Sequence, residues 1–298
     1  MAIVKLFGKD LVVKDNHCSL NGNPGDPIDV PYINMYVTMT NACNAKCAFC
    51  CNEKNACTKV NFNFYKFYYL VHEIQKQLTI NKLSFTGGEP SLDIELLGKC
   101  VQAVKETDTE IFTIINTNGI NLAKMAPIAK YFDSIALSRH FYNDEVNNEI
   151  FKTDSVAQAE AIKAFPYKDK IHLSCNLQKG YIDSSRKVML YLEEAAKLGI
   201  GDIGFVSLMP VNDYCKEKFV DFADINLELI ENLYISKEWN NATYCRCRNY
   251  LYVPKSEEAE VDIVKLYTRY YVDSSYCLST LVFDGEYLRK GFGGEIII

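Results

Sequence analysis

No stretch of this 298-residue sequence approaches the roughly 18 apolar residues that a membrane-crossing helix needs. The opening, MAIVKLFGKDLVVKD, breaks its apolar residues with charges every few positions, so it lacks the continuous apolar core of a secretory signal. Repeats, low-complexity tracts and Gly/Ser linkers are missing as well. A basic excess is also absent. The 32 Lys and Arg stand against 38 Asp and Glu, a net charge of -6, which argues against whole-surface attraction to nucleic acid or anionic lipid and leaves room for a local basic pocket. The expectation is a cytoplasmic protein with neither a membrane nor a nucleic-acid partner. What is present is ordinary globular usage, 48% hydrophobic and 23% charged with 15 Gly and 8 Pro, which excludes disordered, collagenous and coiled-coil classes. A chain of this size buries roughly 75% of its unfolded surface without help from disulfides and has room for about one to two domains.

Twelve cysteines, at 18, 43, 47, 50, 51, 57, 100, 175, 215, 245, 247 and 277, therefore need another explanation. In a reducing compartment, cysteines that cluster are metal ligands before they are a disulfide framework. Cys100, on an apolar helix face, and Cys175, within a buried strand pattern, read instead as small hydrophobes, and Cys18 is grouped with them.

From about residue 33 onward, short β-rich runs alternate with longer helical ones. Strands are predicted at Asn34–Thr38, Lys82–Thr86, Glu110–Asn116, Asp133–Ser138, Lys170–Leu177 and Asp202–Met209. Helices are predicted between them at Phe62–Leu78, Leu92–Lys105, Leu122–Lys130, Ser155–Ala164 and Ser184–Leu198. This is an α/β pattern of βα units on a parallel sheet. Six units are too few for a closed eight-stranded barrel, so a partial barrel or an open wound sheet follows, with chemistry at the C-terminal strand ends. Periodicity weakens after Met209-Pro210, and a boundary is set at 211. The expected organisation is a β appendage at 1–31 ending in the turn-rich NGNPGDP, a wound domain at 32–210, and a small α+β unit at 211–298 finishing in a hairpin that turns at Asp284-Gly285.

Cys43, Cys47 and Cys50 occupy TNACNAKCAFC, directly after the first strand of the wound domain. Thiolates hold iron–sulfur clusters, and three of them on one loop leave one iron of a four-iron cubane open, as catalytic metal sites require. A zinc knuckle or chance adjacency fits the spacing too, and nearby Cys51 or Cys57 offers a fourth ligand. After the second strand comes Thr86-Gly87-Gly88-Glu89-Pro90. Its glycines allow close backbone approach, its carboxylate can accept from an ammonium, and Pro90 suits the first turn of a helix. Taken alone, the segment is also a plain strand-to-helix turn.

Together the C-x3-C-x2-C loop, with Phe49 before its last cysteine, and the GGE loop resemble the radical S-adenosylmethionine superfamily over roughly residues 33–210. The resemblance implies a partial (β/α)6 barrel. It also implies a [4Fe–4S] cluster on Cys43, Cys47 and Cys50 whose open iron takes the amino and carboxylate groups of S-adenosylmethionine, with Gly87, Gly88 and Glu89 at the amino group. One electron into the sulfonium then yields methionine and a 5′-deoxyadenosyl radical; the cofactor supplies that chemistry and the protein supplies position and dryness. An external low-potential donor of the flavodoxin or ferredoxin type is implied. Asn116 and Thr117 in INTNG, Ser138 in IALSRH and Asn176 in LSCNL end successive strands where the superfamily bonds the ribose and carboxylate of the cofactor; they also suit caps and turns. Arg139 and His140, at the same mouth, meet either a polar substrate group or a local partner, Asp144 or Glu145.

Cys215, Cys245, Cys247 and Cys277 all follow the boundary. They resemble the twitch-type extensions that carry an auxiliary [4Fe–4S] cluster, although Cys245-x-Cys247 departs from the more common C-x2-C pair. A four-cysteine zinc site and a set without metal are the rivals. In a third reading Cys215 is a thiol hydrogen-atom donor beside a three-cysteine site. The leading function is hydrogen-atom abstraction from a small molecule, a nucleotide or a short peptide, with an auxiliary cluster assisting oxidation, crosslinking or rearrangement. With Cys215 as donor the outcome is epimerisation. A non-catalytic iron–sulfur electron carrier or a zinc-stapled interaction module is the alternative from another class.

Overall fold

A computed structural model describes residues 2–13, 32–52, 61–154, 159–236, 246–270 and 279–298. The chain starts with an antiparallel hairpin of β1 (Ala2–Leu6) and β2 (Lys9–Val13). It turns at Phe7-Gly8, where φ is 48° and 78°, the paired positive values of a tight hairpin turn whose twist matches its strands. Leu6, Leu11 and Val13 join the main core, and Lys9 donates to the carbonyl of Ile296, so this appendage is packed against the end of the chain. The NGNPGDP segment lies outside the described residues.

All six expected strands of the wound domain form, as β3 (Tyr32–Thr40), β4 (Thr79–Gly87), β5 (Phe112–Thr117), β6 (Ser134–Ser138), β7 (Ile171–Leu177) and β8 (Asp202–Ser207). Each pairs in parallel with the next, the order produced when every crossover winds the same way. The connecting helices are α1 (Phe64–Gln75), α2 (Ile94–Thr107), α3 (Leu122–Ala129), α4 (Asp144–Phe151), α5 (Ala159–Lys163) and α6 (Ser185–Lys197). Asn63 caps α1, Asp93 caps α2 and Asn143 caps α4, each accepting from a backbone N–H three residues on. Helix α4 is the one that hydrophobic periodicity does not announce, because DEVNNEIF buries only Ile150 and Phe151 among its apolar residues. Of the helix expected at 155–164, residues 155–158 lie outside the described set and α5 covers 159–163.

Beyond 211, after the short α7 (Asp213–Glu217), come β9 (Leu233–Ile235), β10 (Arg248–Tyr252), β11 (Val264–Arg269), β12 (Thr280–Phe283) and β13 (Leu288–Lys290). The hairpin β12–β13 turns at Asp284-Gly285 as expected, with Gly285 at φ 101°. This segment, expected as a unit of its own, builds both flanks of a single eleven-stranded sheet in the order β13-β12-β3-β4-β5-β6-β7-β8-β11-β10-β9. β11 lies parallel to β8 and β12 parallel to β3, so the exposed backbone edges of the wound domain are covered. The terminal strands β13 and β9 do not pair with each other among the described residues.

One face of the sheet meets the helices: Phe85 contacts Phe67 and Phe132, and Phe205 contacts Tyr191. On β3, Ile33, Met35, Val37 and Met39 are buried there, while Asn34, Tyr36, Thr38 and Thr40 are half-buried on the other face. Among the described residues no helix is long and apolar enough to cross a membrane.

Candidate active site

The cysteine loop leaves the end of β3 and is tied at once to the loop that ends β4. Gly88 N–H donates to the Thr40 carbonyl at 2.6 Å, Glu89 N–H to the Ala42 carbonyl at 2.8 Å, and Asn52 Nδ2 to the Gly87 carbonyl at 2.7 Å. Neither glycine has room for a side chain. A Cβ on Gly87 would stand 2.2 Å from the Thr40 carbonyl oxygen, one on Gly88 would stand 2.1 Å from that of Ala42, and Gly87 is at φ 132°.

Within the loop, Cys43, Cys47 and Cys50 are half-buried. Burial, followed by the charges of the neighbouring cysteines, pushes the Cys47 thiol up to about 12. Cys43 is raised mainly by burial, with smaller contributions from Glu89 and Cys50. Cys50 is among the charges that raise both Cys43 and Cys47, as expected of neighbours on one loop. The Cys51 thiol is raised by burial, with a smaller contribution from Cys215; Cys57 lies outside the described residues.

Glu89 is 1% exposed, and burial raises its pKa against the lowering effect of its hydrogen bonds. Its Oε1 accepts from Ser91 N–H at 3.0 Å, Ser91 Oγ at 2.6 Å and Thr117 Oγ1 at 2.7 Å, while Oε2 accepts from Asn118 N–H at 2.8 Å. Four donors match the roughly four acceptor sites of a carboxylate. The side chain expected at a ligand's ammonium thus binds the end of β5 to the GGE loop.

The strand-end residues divide by parity. Asn116, Ser138 and Asn176 are half-buried on the face away from the helices, and Asn116 Nδ2 is 3.5 Å from the Phe85 carbonyl. Thr117, one residue out of phase, points the other way and is 2% exposed with its hydroxyl on Glu89.

Arg139 and His140 are also turned inward, each 3% exposed. Arg139 Nη2 lies 2.7 Å from Asp144 Oδ1 and donates to the Tyr142 carbonyl at 3.0 Å, so the local ion pair is the reading that holds. The His140 ring stacks on Phe151 at 4.9 Å and meets Phe49 edge-on at 4.9 Å. Its Nδ1 accepts from Asn176 N–H at 3.0 Å, which puts the ring proton on Nε2. Burial lowers its pKa to about 3, keeping the imidazole neutral. Phe151 also packs on Ala45 and accepts from Lys46 N–H at 2.9 Å, so the cysteine loop rests on an aromatic platform. Of the two readings of this pair, a polar substrate group or a local partner, the structure shows the local partner for Arg139 and an aromatic contact with the cysteine loop for His140.

Cys215, on α7, is 1% exposed. Its Sγ is 3.6 Å from the Phe49 carbonyl, and Asn212 Nδ2 donates to the Ala48 carbonyl at 3.0 Å, so α7 is fastened to the cysteine loop. Cys247 is buried at the start of β10, its Sγ accepting from Tyr270 N–H at 3.4 Å. Cys245 and Cys277, like Cys18, lie outside the described residues.

Radical SAM superfamily is the description of the family whose pattern matches residues 37–224, well over half of the chain. The chain belongs to that superfamily. A relative in Thermococcus kodakarensis named "Probable GTP 3′,8-cyclase" is 30% identical over 179 residues, 57% of this chain and 55% of that protein. One of the same name in Saccharolobus islandicus (strain Y.N.15.51 / Yellowstone #2) is 27% identical over 213 residues, 70% of this chain and 68% of its own. Streptococcus suis SuiB, solved with S-adenosylmethionine, shares the fold at a TM-score of 0.53 and 19% identity, over 64% of this chain and 44% of SuiB. This radical SAM chain therefore matches little more than half of the Thermococcus relative's length and less than half of SuiB's. The superfamily's cofactors are a [4Fe–4S] cluster and S-adenosylmethionine, and the three-thiol loop fits the first of them.

Sequence reading missed two supports of the site. Asn118 links Glu89 to the cysteine loop, and Phe151 seats that loop. Asn118 is legible as part of INTNG but sits one residue past the strand, where alternation stops assigning faces. Phe151 ends a helix that periodicity did not reveal.

Proposed function

We propose that this chain is a radical SAM enzyme in which Cys43, Cys47 and Cys50 hold a [4Fe–4S] cluster. The carrying observation is the loop itself: three half-buried thiols in C-x3-C-x2-C spacing, fastened to a glycine pair that leaves no room for side chains. When bound and reduced by an external flavodoxin- or ferredoxin-type donor, the cluster supplies one electron for cleavage of S-adenosylmethionine and so generates the hydrogen-abstracting radical. The backbone of Gly87 and Gly88, together with Asn116, Ser138 and Asn176, then orients the cofactor from the strand ends. Phe49, steadied by His140 and Phe151, closes the loop beside it.

The substrate lies over the face that bears Tyr36, Ser138, Ser174 and Asn176, whose half-buried polar character suits a polar molecule. A purine nucleotide is the first choice, since relatives are named for a GTP cyclase. The test is anaerobic reconstitution with iron and sulfide, then dithionite and S-adenosylmethionine with and without GTP. Formation of 5′-deoxyadenosine supports the enzyme, and its stimulation by GTP supports the nucleotide. A fully reconstituted protein that never releases 5′-deoxyadenosine overturns the enzyme reading in favour of an electron carrier.

A second reading concerns Cys215, whose thiol sits against Phe49 of the first cysteine loop. This supports Cys215 as a hydrogen-atom donor, with the auxiliary [4Fe–4S] site left to Cys245, Cys247 and Cys277. Iron analysis separates the possibilities: with Cys43, Cys47 and Cys50 all changed to Ala, roughly four irons remain if a second cubane exists. Unchanged iron with an altered product in Cys215→Ala identifies the donor; lost iron makes Cys215 a ligand.

A further inference from the structure

Asn118 is 6% exposed, and its backbone N–H and both ends of its side-chain amide have defined partners. Its backbone N–H donates to Glu89 Oε2 at 2.8 Å, and its Oδ1 accepts from Ile120 N–H at 3.0 Å. A backbone N–H can only donate, so this second bond fixes which end of the amide is oxygen. The Nδ2 end must therefore face the cysteine loop. There it donates to Asn44 Oδ1 at 2.7 Å and lies 3.9 Å from Cys43 Sγ, within N–H···S reach. The same sulfur accepts from Ala45 N–H at 3.4 Å, so Cys43 receives one donor from its own loop and one from the end of another strand. Cys50 accepts from Asn52 N–H within the loop at 3.4 Å.

We infer that Asn118 is a positioning residue for the cluster: it fixes the Cys43 side chain and donates to its sulfur, joining that ligand to the GGE loop through Glu89. The inference rests on the reading of Cys43 as a cluster ligand. Its physical content is electrostatic. Reduction adds negative charge to the cluster and its thiolates, and a fixed N–H dipole aimed at one sulfur stabilises the reduced form, so hydrogen bonds to sulfur raise the reduction potential. Outer partners of this kind also hold a ligand in its binding orientation.

The test compares the whole chain, reconstituted anaerobically, with Asn118→Leu and Asn118→Asp, by iron content and by potentiometric EPR of the reduced cluster. Leu removes the donor at similar volume, while Asp keeps the acceptor for Ile120 and adds negative charge. The expected result is a potential more negative in Leu than in wild type, and more negative again in Asp, at unchanged iron. If Leu loses iron, the Asp potential decides alone. Unchanged potentials in variants that keep their iron overturn the inference and leave the cluster assignment standing. If Cys43→Ala keeps wild-type iron and EPR signal, the cluster assignment fails, and this inference fails with it.

Discussion

On β7, Ile171, Leu173, Cys175 and Leu177 are buried against the helices, while His172, Ser174 and Asn176 stand half-buried on the opposite face. β3 repeats the division with Ile33, Met35, Val37 and Met39 against Asn34, Tyr36 and Thr38. Parallel strands covered on both faces usually read as unbroken apolar runs. Alternation here means that only the helix face is a packed core. The difference teaches where stability and chemistry are held: one set of side chains excludes water to hold the sheet, and the set between them is left to bind.

The largest test of that division is on the loop. Cys47→Ala should abolish 5′-deoxyadenosine formation while changing the denaturation free energy by less than about 1 kcal/mol, since a half-buried loop thiol carries little packing. Loss of folding in parallel with loss of turnover would show that loop and core are not separable. On the helix face, Phe85→Ala removes a 0% exposed ring packed between Phe67 and Phe132. It should cost about 3–5 kcal/mol in urea unfolding and leave activity per folded molecule nearly intact.

His140 sharpens the comparison with pH. Folded, it stays neutral down to about 3, whereas unfolded it takes a proton near 6.5. Between those values the unfolded chain binds the additional proton. Stability associated with this residue is therefore complete above about pH 6.5 and falls as pH drops toward about 3. At about pH 5.5 the loss should be about 1.4 kcal/mol, and His140→Phe should flatten that slope in denaturation curves taken across the range. An unchanged slope would mean the ring titrates normally in the folded protein. The smallest effect belongs to the binding face. Ser138→Ala should shift stability by no more than about 0.5 kcal/mol and raise the KM for S-adenosylmethionine several-fold, as loss of one hydrogen bond worth about 1 kcal/mol implies. A KM that does not move would assign Ser138 to the turn alone.

The elements carrying these effects were unequally legible. The six strands of the wound domain could be read because β-branched and aromatic runs recur between amphipathic helices. The cysteine and GGE loops could be read because their residue types are rare in such spacing. Parity was the harder matter. Thr117 and Asn116 look equivalent in INTNG, but adjacent strand residues face opposite sides, so one reaches the open face and the other Glu89. For Arg139 the sequence left a substrate group and a local partner open, and α4 brings Asp144 to its guanidinium. The flanking positions of β11 and β12 had no local signal, since their partners β8 and β3 are distant in the chain.

The sequence by itself determined the succession of βα units, the three-cysteine loop and the glycines that loop requires. These depend on short-range sterics and on residue chemistry. Only the tertiary structure decided that Glu89 would accept from Ser91, Thr117 and Asn118, that Asn118 would reach Cys43, and that Cys215 would rest on Phe49. Those meetings are set by how the curled sheet brings separate strand ends to one rim, which no local run of residues encodes.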